Sequence, residues 1–555
     1  MLSRDRRDIL YVYGYAVFNG LVALSLPLGV QAIIGLVLAE RVSSSWIILT
    51  AVVTLGVWLS GVLQVVQLSI TEVLQQRIFT RAAFEFAYRI PRLESKAIRG
   101  VYTPELMNRF FDILNVQKGL SKLLLDFSSS ALQILFGLLL LSFYHPVFIF
   151  FGVGLLAMLT TIFVWTGKWG LASSLEESKW KYAMAHWLED LARGMRTFKL
   201  AGTTDLPLQR TDELVSQYLS ARKAHFRVLV LQYGHVVAFK GLITAGLLAI
   251  GGYLVIENQI NVGQFVASEI IIILTMNSAE KLILTMEPIY DILTAVEKIA
   301  QVTDLPIEPE QEGLGLSDLE RAGASERGWS LRYRDVSLEG LMAGEPGVLN
   351  DIDLDIAAGE RVCVSGPPGS GKSSLLRLMA GLDDGASGIR LINGIPVGNI
   401  DGCALRSHIG DALEDEVIFH GTVYENIGLG RPGVDFAAVQ WAAQAVGLEA
   451  TITQWPQGYD TVLETGGVGL PSSAVRRLFL ARAIACRPRL LVLDQPLKSQ
   501  SPEERTRLAS YLCDRQHPWT LVIASNEPEI QRACDRVITL SNGRVVSSTP
   551  SPTVS

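Results

Sequence analysis

The chain has 555 residues, of which 49% are hydrophobic, and a formal net charge of −7 at pH 7. This thinly spread negative charge offers nucleic acid no basic surface, and the hydrophobic content is too high for an ordinary soluble protein of this length. The five cysteines all lie in the second half of the chain and form no Cys-x-x-Cys pair, which fits a reduced compartment for that half.

Six stretches in the first part of the chain are apolar enough to cross a membrane. A hydrocarbon core of ~30 Å requires roughly 20 apolar residues in a helix. The stretches lie near residues 9–39, 46–70, 127–144, 147–166, 229–256 and 262–290. They predict a membrane α-helical domain with six spans. The polar but helically periodic segments 72–88 and 175–199 predict that some helices continue beyond the membrane.

Lysine and arginine are distributed unevenly between the two ends of these spans. Three arginines precede the first span, and segments 77–122 and 168–227 are rich in both residue types. The three short turns on the other side contain a single arginine. Because basic residues accumulate in cytoplasmic loops, we expect both termini in the cytoplasm. The first apolar stretch is long and lacks a small-residue cleavage site, so no cleavable signal peptide is expected.

Several ionisable side chains fall inside the last two predicted spans, among them Lys240, Glu269, Glu280 and Lys281. A charge at the bilayer centre costs about 2.5–3.5 kcal/mol on insertion scales, so such residues face a bundle interior, a cavity or one another. We expect Lys240 and Glu269 to pair. A purely structural ion pair and a direct role in substrate binding both remain open at this point.

The composition changes around residues 302–329, where Glu, Gly, Ser and Pro accumulate as in a linker. From about residue 330, strand-like and helix-like segments alternate, which is typical of an α/β domain. The predicted organisation is a transmembrane domain at 1–301, the linker at 302–329, an α/β P-loop nucleotide-binding domain at 330–547 and a tail at 548–555.

A glycine-rich motif, G-x-x-x-x-G-K-S, follows a β-branched run and precedes apolar residues at helical spacing. This context is typical of a phosphate-binding loop, in which glycines let the backbone approach an anion and the next helix adds unpaired N–H groups. The predicted nucleotide-binding residues here are Gly366, Pro367, Pro368, Gly369, Ser370, Gly371, Lys372, Ser373 and Ser374. Lys372 is expected to contact the β- and γ-phosphates, and Ser373 to hold Mg²⁺.

Further motifs follow this loop at 421–427, 458–461, 480–483 and 490–494. With six spans and a linker, they resemble a half-transporter of the ATP-binding cassette (ABC) exporter family over essentially the whole chain. In the membrane half, Asn-Arg-Phe-Phe-Asp at 108–112 and Phe-Lys-Leu-Ala-Gly at 198–202 are similar to peptide and type I secretion exporters. Because the first apolar stretch begins close to residue 1, the N-terminal peptidase domain that many of those exporters carry is not expected here.

The resemblance has implications for cofactors and partners. It implies that ATP and Mg²⁺ are the cofactors, and that Asp494 holds the metal together with Ser373. It implies a dimer with a second half-transporter, identical or different, in which each nucleotide site combines the phosphate loop of one chain with the signature of the other. The expected location is among the lipids of a bacterial inner membrane.

Three positions depart from the pattern of this family. Gln495 follows Asp494 where the family has a glutamate that acts as base on the attacking water, and an amide cannot take that proton. Ser525 stands at the position of the switch histidine. Glu414 replaces the glutamine that senses the γ-phosphate, so a carboxylate that only accepts hydrogen bonds faces the phosphate.

Two further departures concern the signature and the adenine contact. The family signature Leu-Ser-Gly-Gly-Gln is Leu-Pro-Ser-Ser-Ala at 470–474. Here proline removes an N–H donor and side chains replace glycines that let backbone approach phosphate. The aromatic residue that stacks on adenine is missing near 338–340, although Tyr333 lies a few residues earlier. Together with the changes at the catalytic positions, this predicts nucleotide binding without efficient hydrolysis.

The sequence therefore predicts an exporter half that binds ATP, hydrolyses it poorly or not at all, and moves a peptide, lipid or hydrophobic substrate as a dimer. The alternative is a non-hydrolysing, nucleotide-gated membrane scaffold or regulator. A neighbouring gene for a half-transporter with intact glutamate, histidine and signature would favour the exporter.

Overall fold

A computed structural model of the chain describes residues 5–38, 44–98, 103–308, 313–315, 321, 328–340, 347–383, 385–414 and 416–551. The chain divides into two compact units. The N-terminal unit comprises Met1–Arg92 and Tyr102–Leu305, and the C-terminal unit comprises Leu93–Val101 and Pro306–Ser555. Residues 93–98 therefore group with the later part of the chain, as the hydrogen bond from Glu94 N to Pro306 O (3.1 Å) illustrates.

The N-terminal unit is helical. Its α-helices in chain order are α1 (Arg6–Ala23), α2 (Ser25–Leu38), α3 (Ser44–Arg89), α4 (Thr103–Met107), α5 (Asp112–Lys122), α6 (Ser128–Ser142), α7 (Val147–Arg193), α8 (Met195–Leu200), α9 (Leu206–Gly246), α10 (Gly252–Ile256), α11 (Val262–Leu284) and α12 (Met286–Thr303). Two π-helical turns, Leu123–Phe127 and Leu247–Gly251, join α5 to α6 and α9 to α10. Short 3₁₀ turns occupy Ile90–Arg92 and Asn108–Phe111.

Among the described residues of this unit, six helical segments are long and apolar enough to cross a membrane, which confirms the predicted six spans. They are Arg6–Leu38, Ser44–Arg92, Thr103–Ser142, Val147–Arg193, Leu206–Ile256 and Val262–Thr303. The second segment has 49 residues, about 70 Å at 1.5 Å per residue, whereas the hydrocarbon core is only ~30 Å thick. The helices therefore extend well beyond the membrane, as their polar continuations predict.

The sixth span is broken at Thr285, between α11 and α12. Pro288 lies one turn later and has no N–H to donate to the carbonyl of Leu284, so the regular helical hydrogen bond is missing there. Neighbouring bonds persist, from Thr285 N to Lys281 O (3.1 Å) and from Ile289 N to Thr285 O (3.2 Å). The break therefore interrupts the helix without exposing a long stretch of backbone.

The segment 108–112 is held by polar contacts to α7. The guanidinium of Arg109 lies 3.8 Å from the ring centre of Tyr182, and the Tyr182 hydroxyl donates to Asp112. Asn108 donates to Glu189. These contacts give the segment a structural role in joining the third and fourth spans.

The charges of the last two spans pair differently from the prediction. Lys240 Nζ lies 3.3 Å from Glu280 Oε2 and 3.2 Å from Asn277 Oδ1, so the expected pair with Glu269 is wrong. Tyr233 also donates to Glu280 (2.6 Å). Glu280 lies three helical turns beyond Glu269, and the relative rotation and register of α9 and α11 bring it to the lysine.

The strands of the C-terminal unit are β1 (Leu331–Leu338), β2 (Leu349–Ile356), β3 (Arg361–Ser365), β4 (Ser387–Ile392), β5 (Ile395–Pro396), β6 (Ile409–Ala412), β7 (Gly421–Thr422), β8 (Val462–Leu463), β9 (Leu490–Asp494), β10 (Thr520–Ala524), β11 (Arg536–Ser541) and β12 (Arg544–Pro550). Its α-helices are α13 (Lys372–Met379), α14 (Gly402–Ser407), α15 (Val423–Gly428), α16 (Phe436–Ala445), α17 (Glu449–Ile452), α18 (Ser472–Ala485), α19 (Pro502–Cys513) and α20 (Pro528–Ala533). Short 3₁₀ turns occupy Val397–Asn399, Gly458–Asp460 and Thr465–Gly467.

The largest sheet has the strand order β12-β11-β3-β10-β9-β6, and all neighbours except the β11–β12 pair are parallel. Strands β9 and β10 are buried along their whole length, as expected for parallel strands covered on both faces. A second, antiparallel sheet has the order β2-β1-β4-β5, and β7 pairs with β8. The α/β domain predicted for this part of the chain is confirmed.

The parallel strands determine where the functional residues meet. The carboxyl ends of adjacent parallel strands lie at one edge of a sheet, where α/β proteins bind ligands. Strands β3, β10 and β9 are neighbours in the sheet. The glycine-rich loop after β3, Ser525 after β10 and Gln495 after β9 are therefore brought to the same edge.

Candidate nucleotide site

The phosphate loop, residues 366–373, connects buried β3 to α13. Gly366 has φ 152°, and a Cβ at this position would lie 2.3 Å from the carbonyl oxygen of Leu540. Gly371 has φ 95°, in the left-handed region, and its Cβ would lie 2.8 Å from Val348 O. Only glycine fits these two positions, because a side chain would be both strained and in collision with backbone.

The side chain of Asn526 forms hydrogen bonds with Gly366, the first residue of this loop. Its Oδ1 accepts from Gly366 N (3.1 Å) and from Ser365 Oγ (3.2 Å), and its Nδ2 donates to Gly366 O (3.1 Å). Sequence analysis missed this residue, and the only signal was its position next to Ser525. The side chain satisfies both backbone groups of Gly366, so it sets the conformation with which the loop begins.

Lys372 is folded back onto the loop. Its Nζ donates to Gly366 O (2.8 Å) and Pro367 O (2.8 Å) and lies 3.4 Å from Ser370 Oγ. The side chain is almost fully buried. The ammonium group of Lys372 therefore lies at the loop, within reach of any phosphate that the backbone N–H groups bind.

Asp494 ends β9 and is 1% exposed. Neither of its buried carboxylate oxygens has a hydrogen-bond partner among the described residues. Burial raises the pKa of Asp494 and the charge of Glu414 adds to the shift, whereas Ser373 and the charges of Lys372 and Arg476 oppose it. A buried carboxylate without partners, close to a serine hydroxyl, is a donor set that suits Mg²⁺. These residues therefore fit the metal that the sequence implies.

Gln495 and Ser525 lie at the same edge of the sheet as the phosphate loop, and each forms hydrogen bonds with nearby backbone groups. Gln495 adopts a left-handed conformation, φ 44°, and its N–H donates to Ala524 O (3.0 Å). The buried Ser525 accepts from Glu527 N at its hydroxyl (3.1 Å) and donates its N–H to Val364 O (3.0 Å). The serine hydroxyl thus accepts a bond within a local turn, and the buried side chain is shorter than the histidine of the family.

Glu414 is exposed, and a cavity of about 490 Å³ separates it from the signature segment, residues 470–474. Ser472, Arg476 and Ser499 also line this cavity. Helix α18 begins at Ser472, and Pro471 before it offers no side-chain cap to the first helical N–H groups. The signature segment therefore starts a regular helix, although its side chains differ from those of the family.

A largely buried ion pair lies at the wall of this cavity, which Glu416 lines. Glu416 accepts from Arg482 (3.2 Å), and Arg482 Nε also donates to Asn426 O (2.8 Å), which links the 421–427 and 480–483 motifs. Burial raises the pKa of Glu416 to about 8, and the nearby Asp411 acts in the same direction while Arg482 opposes it. Burial of the carboxylate therefore outweighs the attraction of its partner.

Tyr333 cannot replace the missing adenine-stacking residue. Its side chain is 1% exposed and lies in the core between the two larger sheets, among residues such as Leu331, Leu375 and Val522. The ring has no free face for a base. Residues 341–346, which follow the expected position, lie outside the described residues.

Two family models match the chain on these elements. The model "ABC transporter transmembrane region" matches residues 9–278. The model "ABC transporter" matches residues 349–498. The chain belongs to the ABC transporters. It is an integral membrane protein with an ATP-binding domain, and the matches fall on the N-terminal and C-terminal units respectively.

Several curated ABC proteins are similar in sequence. The cyclolysin secretion/processing ATP-binding protein CyaB of Bordetella pertussis is 28% identical over 369 residues, 64% of this chain and 49% of that protein. The ATP-dependent lipid A-core flippase of Burkholderia orbicola is 33% identical over 291 residues, 52% and 47% of the two chains. The leukotoxin translocation ATP-binding protein LktB of Mannheimia glucosida is 26% identical over 342 residues, 61% and 47%. The chain spans about half the length of these relatives.

A solved structure shows the fold of the whole chain. A bacterial Atm1-family ABC exporter with ATP bound superimposes with a TM-score of 0.83 and covers 98% of this chain and 95% of its own. The two sequences are 19% identical. This ABC transporter therefore has the exporter fold, in agreement with the predicted architecture.

Proposed function

We propose that this ABC transporter is one half of an exporter, which binds ATP with Mg²⁺ and hydrolyses it poorly or not at all. The observation that carries the proposal is the contrast within one sheet edge. The phosphate loop and the unpartnered carboxylate of Asp494 are in place, whereas an amide occupies the position after Asp494 and a buried serine, whose hydroxyl accepts from Glu527 N, stands at the histidine position.

The binding half of this proposal follows from the loop. Backbone N–H groups and Lys372 would bind the phosphates, with Gly366–Gly371 as the cradle, and Ser373 and Asp494 would hold Mg²⁺. The metal, when bound, would neutralise phosphate charge. Since Lys372 is already held at two loop carbonyls, its shift to a phosphate needs only a change of side-chain conformation.

The weak hydrolysis follows from the missing base. A positioned base contributes about 10²–10⁴-fold to a rate, and Gln495 has no basic group to offer. In the dimer that the family implies, the altered signature of this chain would also face the nucleotide of its partner. Both sites of a homodimer would therefore be weak, and a different half-transporter would have to provide any efficient site.

Charged side chains within the predicted spans, or directly next to one in the case of Asp126, support the proposed transport. Lys240 and Glu280 are 43% and 26% exposed, and Lys281 and Asp126, 2.8 Å apart, are 53% and 36% exposed. Charges in contact with hydrocarbon are costly, so exposed pairs within spans face water or polar ligands. They support a polar passage through the membrane unit.

The substrate class stays broad in this proposal. The names of the relatives refer to secretion or translocation of protein toxins and to a lipid A-core flippase. A peptide, a lipid or another hydrophobic molecule is accordingly proposed for this chain. The proposed complex is a dimer with an identical or different half-transporter, surrounded by membrane lipid.

Alternating access tests the exporter directly and needs no hydrolysis. A cysteine in place of Asn277, on the exposed charged face of α11, is labelled in membrane vesicles with an impermeant maleimide. We expect MgATP to reduce labelling from the cytoplasmic side and to increase it from the outside, and Lys372→Ala to abolish both changes. A cysteine at Ser44 serves as the control whose labelling stays constant.

The alternative function is a non-hydrolysing, nucleotide-gated scaffold or regulator, and the altered catalytic positions favour it. Such a protein would also respond to MgATP at Asn277→Cys. Its labelling would change in extent but would stay on one side of the membrane, which separates the two functions in the same experiment.

In the proposed orientation the protein lies in a bacterial inner membrane with both termini in the cytoplasm. The basic residues accumulate at the ends of the spans that would face the cytoplasm. Cysteines at Ser44 and Asn258 should be labelled from outside intact cells by an impermeant thiol reagent, whereas one at Ser95 should not. Labelling at Ser95 would overturn this orientation.

A further inference from the structure

Three of the five cysteines, far apart in sequence, meet in the C-terminal unit. Cys513 is the last residue of α19 and Cys534 follows α20, and their Sγ atoms are 3.9 Å apart. Cys363 of β3 lies beneath them and donates to Ser525 O at 3.4 Å. Cys363 and Cys534 are buried, whereas Cys513 is only half-buried. Cys513 is therefore the least buried thiol of the cluster.

We propose that Cys513 and Cys534 are a modification site, at which a peroxide forms a reversible intramolecular disulfide. The two sulfur atoms are already in van der Waals contact, and a bond of about 2.05 Å requires only a modest approach. The site is independent of the transport and hydrolysis proposed above.

Arg361 holds both cysteine-bearing segments to the same strand. Its guanidinium donates to Asp514 O (2.7 Å), next to Cys513. Its backbone N–H donates to the Asp535 carboxylate (2.9 Å) and its carbonyl accepts from Asp535 N (2.8 Å), next to Cys534. The buried Arg361 therefore fixes the positions of both Asp514 and Asp535. Since each is the chain neighbour of a cysteine, the fold itself keeps the two thiols close.

The reaction balances with one peroxide molecule. The Cys513 sulfur attacks a peroxide oxygen, the O–O bond breaks, and the thiol proton leaves with the released hydroxide as water. Cys534 then attacks the sulfenic sulfur, the S–S bond forms and the S–O bond breaks, and the Cys534 thiol proton joins the leaving hydroxide as a second water. The two thiols together supply the two electrons that reduce the peroxide.

The order of the two steps follows from burial. Cys363 and Cys534 are buried whereas Cys513 is half-buried, so the peroxide reaches Cys513 first and Cys534 reacts only with the sulfenic acid formed beside it. A metal site is not supported, because the described residues contain no group of three or more Cys, His, Asp or Glu side chains that could hold an ion.

Peptide mapping tests the proposal on the purified full-length chain in detergent. The protein is titrated with hydrogen peroxide, the remaining thiols are alkylated, and the digest is analysed by mass spectrometry. We expect a Cys513–Cys534 linked peptide, lighter by two hydrogens, that a dithiol reductant reverses. Cys513→Ser should leave Cys534 reduced, whereas Cys403→Ser, at an exposed thiol outside the cluster, should not affect the link.

Two results would overturn the assignment. One is oxidation of Cys403 and Cys513 to sulfinic or sulfonic acid without any linked peptide in the unmodified protein. The other is a link that joins Cys363 to Cys534 instead. Because the mapping is done on the unmodified chain, a variant that fails to fold does not affect the conclusion.

Discussion

Asn526 holds Gly366 by both backbone groups, since its Nδ2 donates to Gly366 O and its Oδ1 accepts from Gly366 N, each at 3.1 Å. The residue comes from the loop after β10, whereas the glycine opens the phosphate loop after β3. The neighbouring strand therefore fixes the start of the phosphate loop through one side chain.

Asn526→Ala is expected to weaken ATP binding about tenfold, equivalent to about 1.4 kcal/mol. The variant loses bonds that each contribute roughly 0.5–1.5 kcal/mol and leaves Gly366 unpaired. Titration with a fluorescent ATP analogue measures the Kd, and Gln454→Ala, at an exposed position, is the control. Asn526→Asp, which can accept but not donate, should lie between the two. An unchanged Kd in Asn526→Ala would remove this role.

The Lys240–Glu280 pair predicts coupled effects on stability. Lys240→Met should lower the free energy of unfolding by roughly 1 kcal/mol, since the partly buried Glu280 carboxylate keeps the hydrogen bond from Tyr233 but loses its charged partner. Adding Glu280→Gln should restore part of the loss, whereas adding Glu269→Gln should not. Thermal unfolding in detergent measures both double variants. Strictly additive losses in Lys240→Met/Glu280→Gln would contradict the pairing.

The spans and the phosphate loop could be predicted because each is encoded by neighbouring residues. Apolar runs of sufficient length predict spans, and the G-x-x-x-x-G-K-S motif contains its own turn and helix start. The parallel strands β9 and β10 are likewise continuous apolar runs. Local pattern was enough for these elements.

Contacts between distant segments could not be predicted in the same way. The partner of Lys240 depends on how α9 and α11 are rotated against each other, and the choice between Glu269 and Glu280 is invisible in periodicity alone. The order of the parallel strands brings Asn526 to the phosphate loop, and the fold of the same unit brings the three cysteines of the cluster together. The helix break at Thr285, by contrast, has a local cause in the sequence, namely Pro288.

The buried Glu416 predicts a pH-dependent stability of the ATP-binding domain. Its pKa is raised from 4.5 to about 8 on folding, so the folded state binds a proton that the unfolded state has released between these values. This contribution is complete below pH 4.5 and is lost as the pH rises through about 8, with a slope of at most about 1.4 kcal/mol per pH unit.

Glu416→Gln should therefore flatten the fall of the unfolding midpoint between pH 4.5 and 8. Thermal unfolding of the full chain, followed at the transition of the ATP-binding domain, measures the effect. Glu464→Gln is the matched control, because this glutamate is 69% exposed. A variant whose midpoint follows the wild-type pH profile would show that Glu416 is already ionised in the folded protein.

Gln495→Glu alone should raise ATP hydrolysis by less than tenfold, although a base is worth about 10²–10⁴-fold. The substitution provides a base but leaves the signature segment and Ser525 unchanged. Restoring Pro471→Ser, Ser472→Gly and Ser473→Gly together with Gln495→Glu should give a larger gain than the two changes separately. Full activity from Gln495→Glu alone would show that the signature segment is competent as it stands.

We propose that this ABC transporter binds ATP without efficient hydrolysis, and binding and hydrolysis are measured best on the same purified chain. Binding is followed by equilibrium titration with MgATP, and hydrolysis by steady-state phosphate release, each with Lys372→Ala as the matched variant. We predict saturable binding that Lys372→Ala abolishes, because the charge on the phosphates is lost, and phosphate release from the unmodified chain no greater than from that variant. Robust phosphate release that Lys372→Ala abolishes would contradict the account.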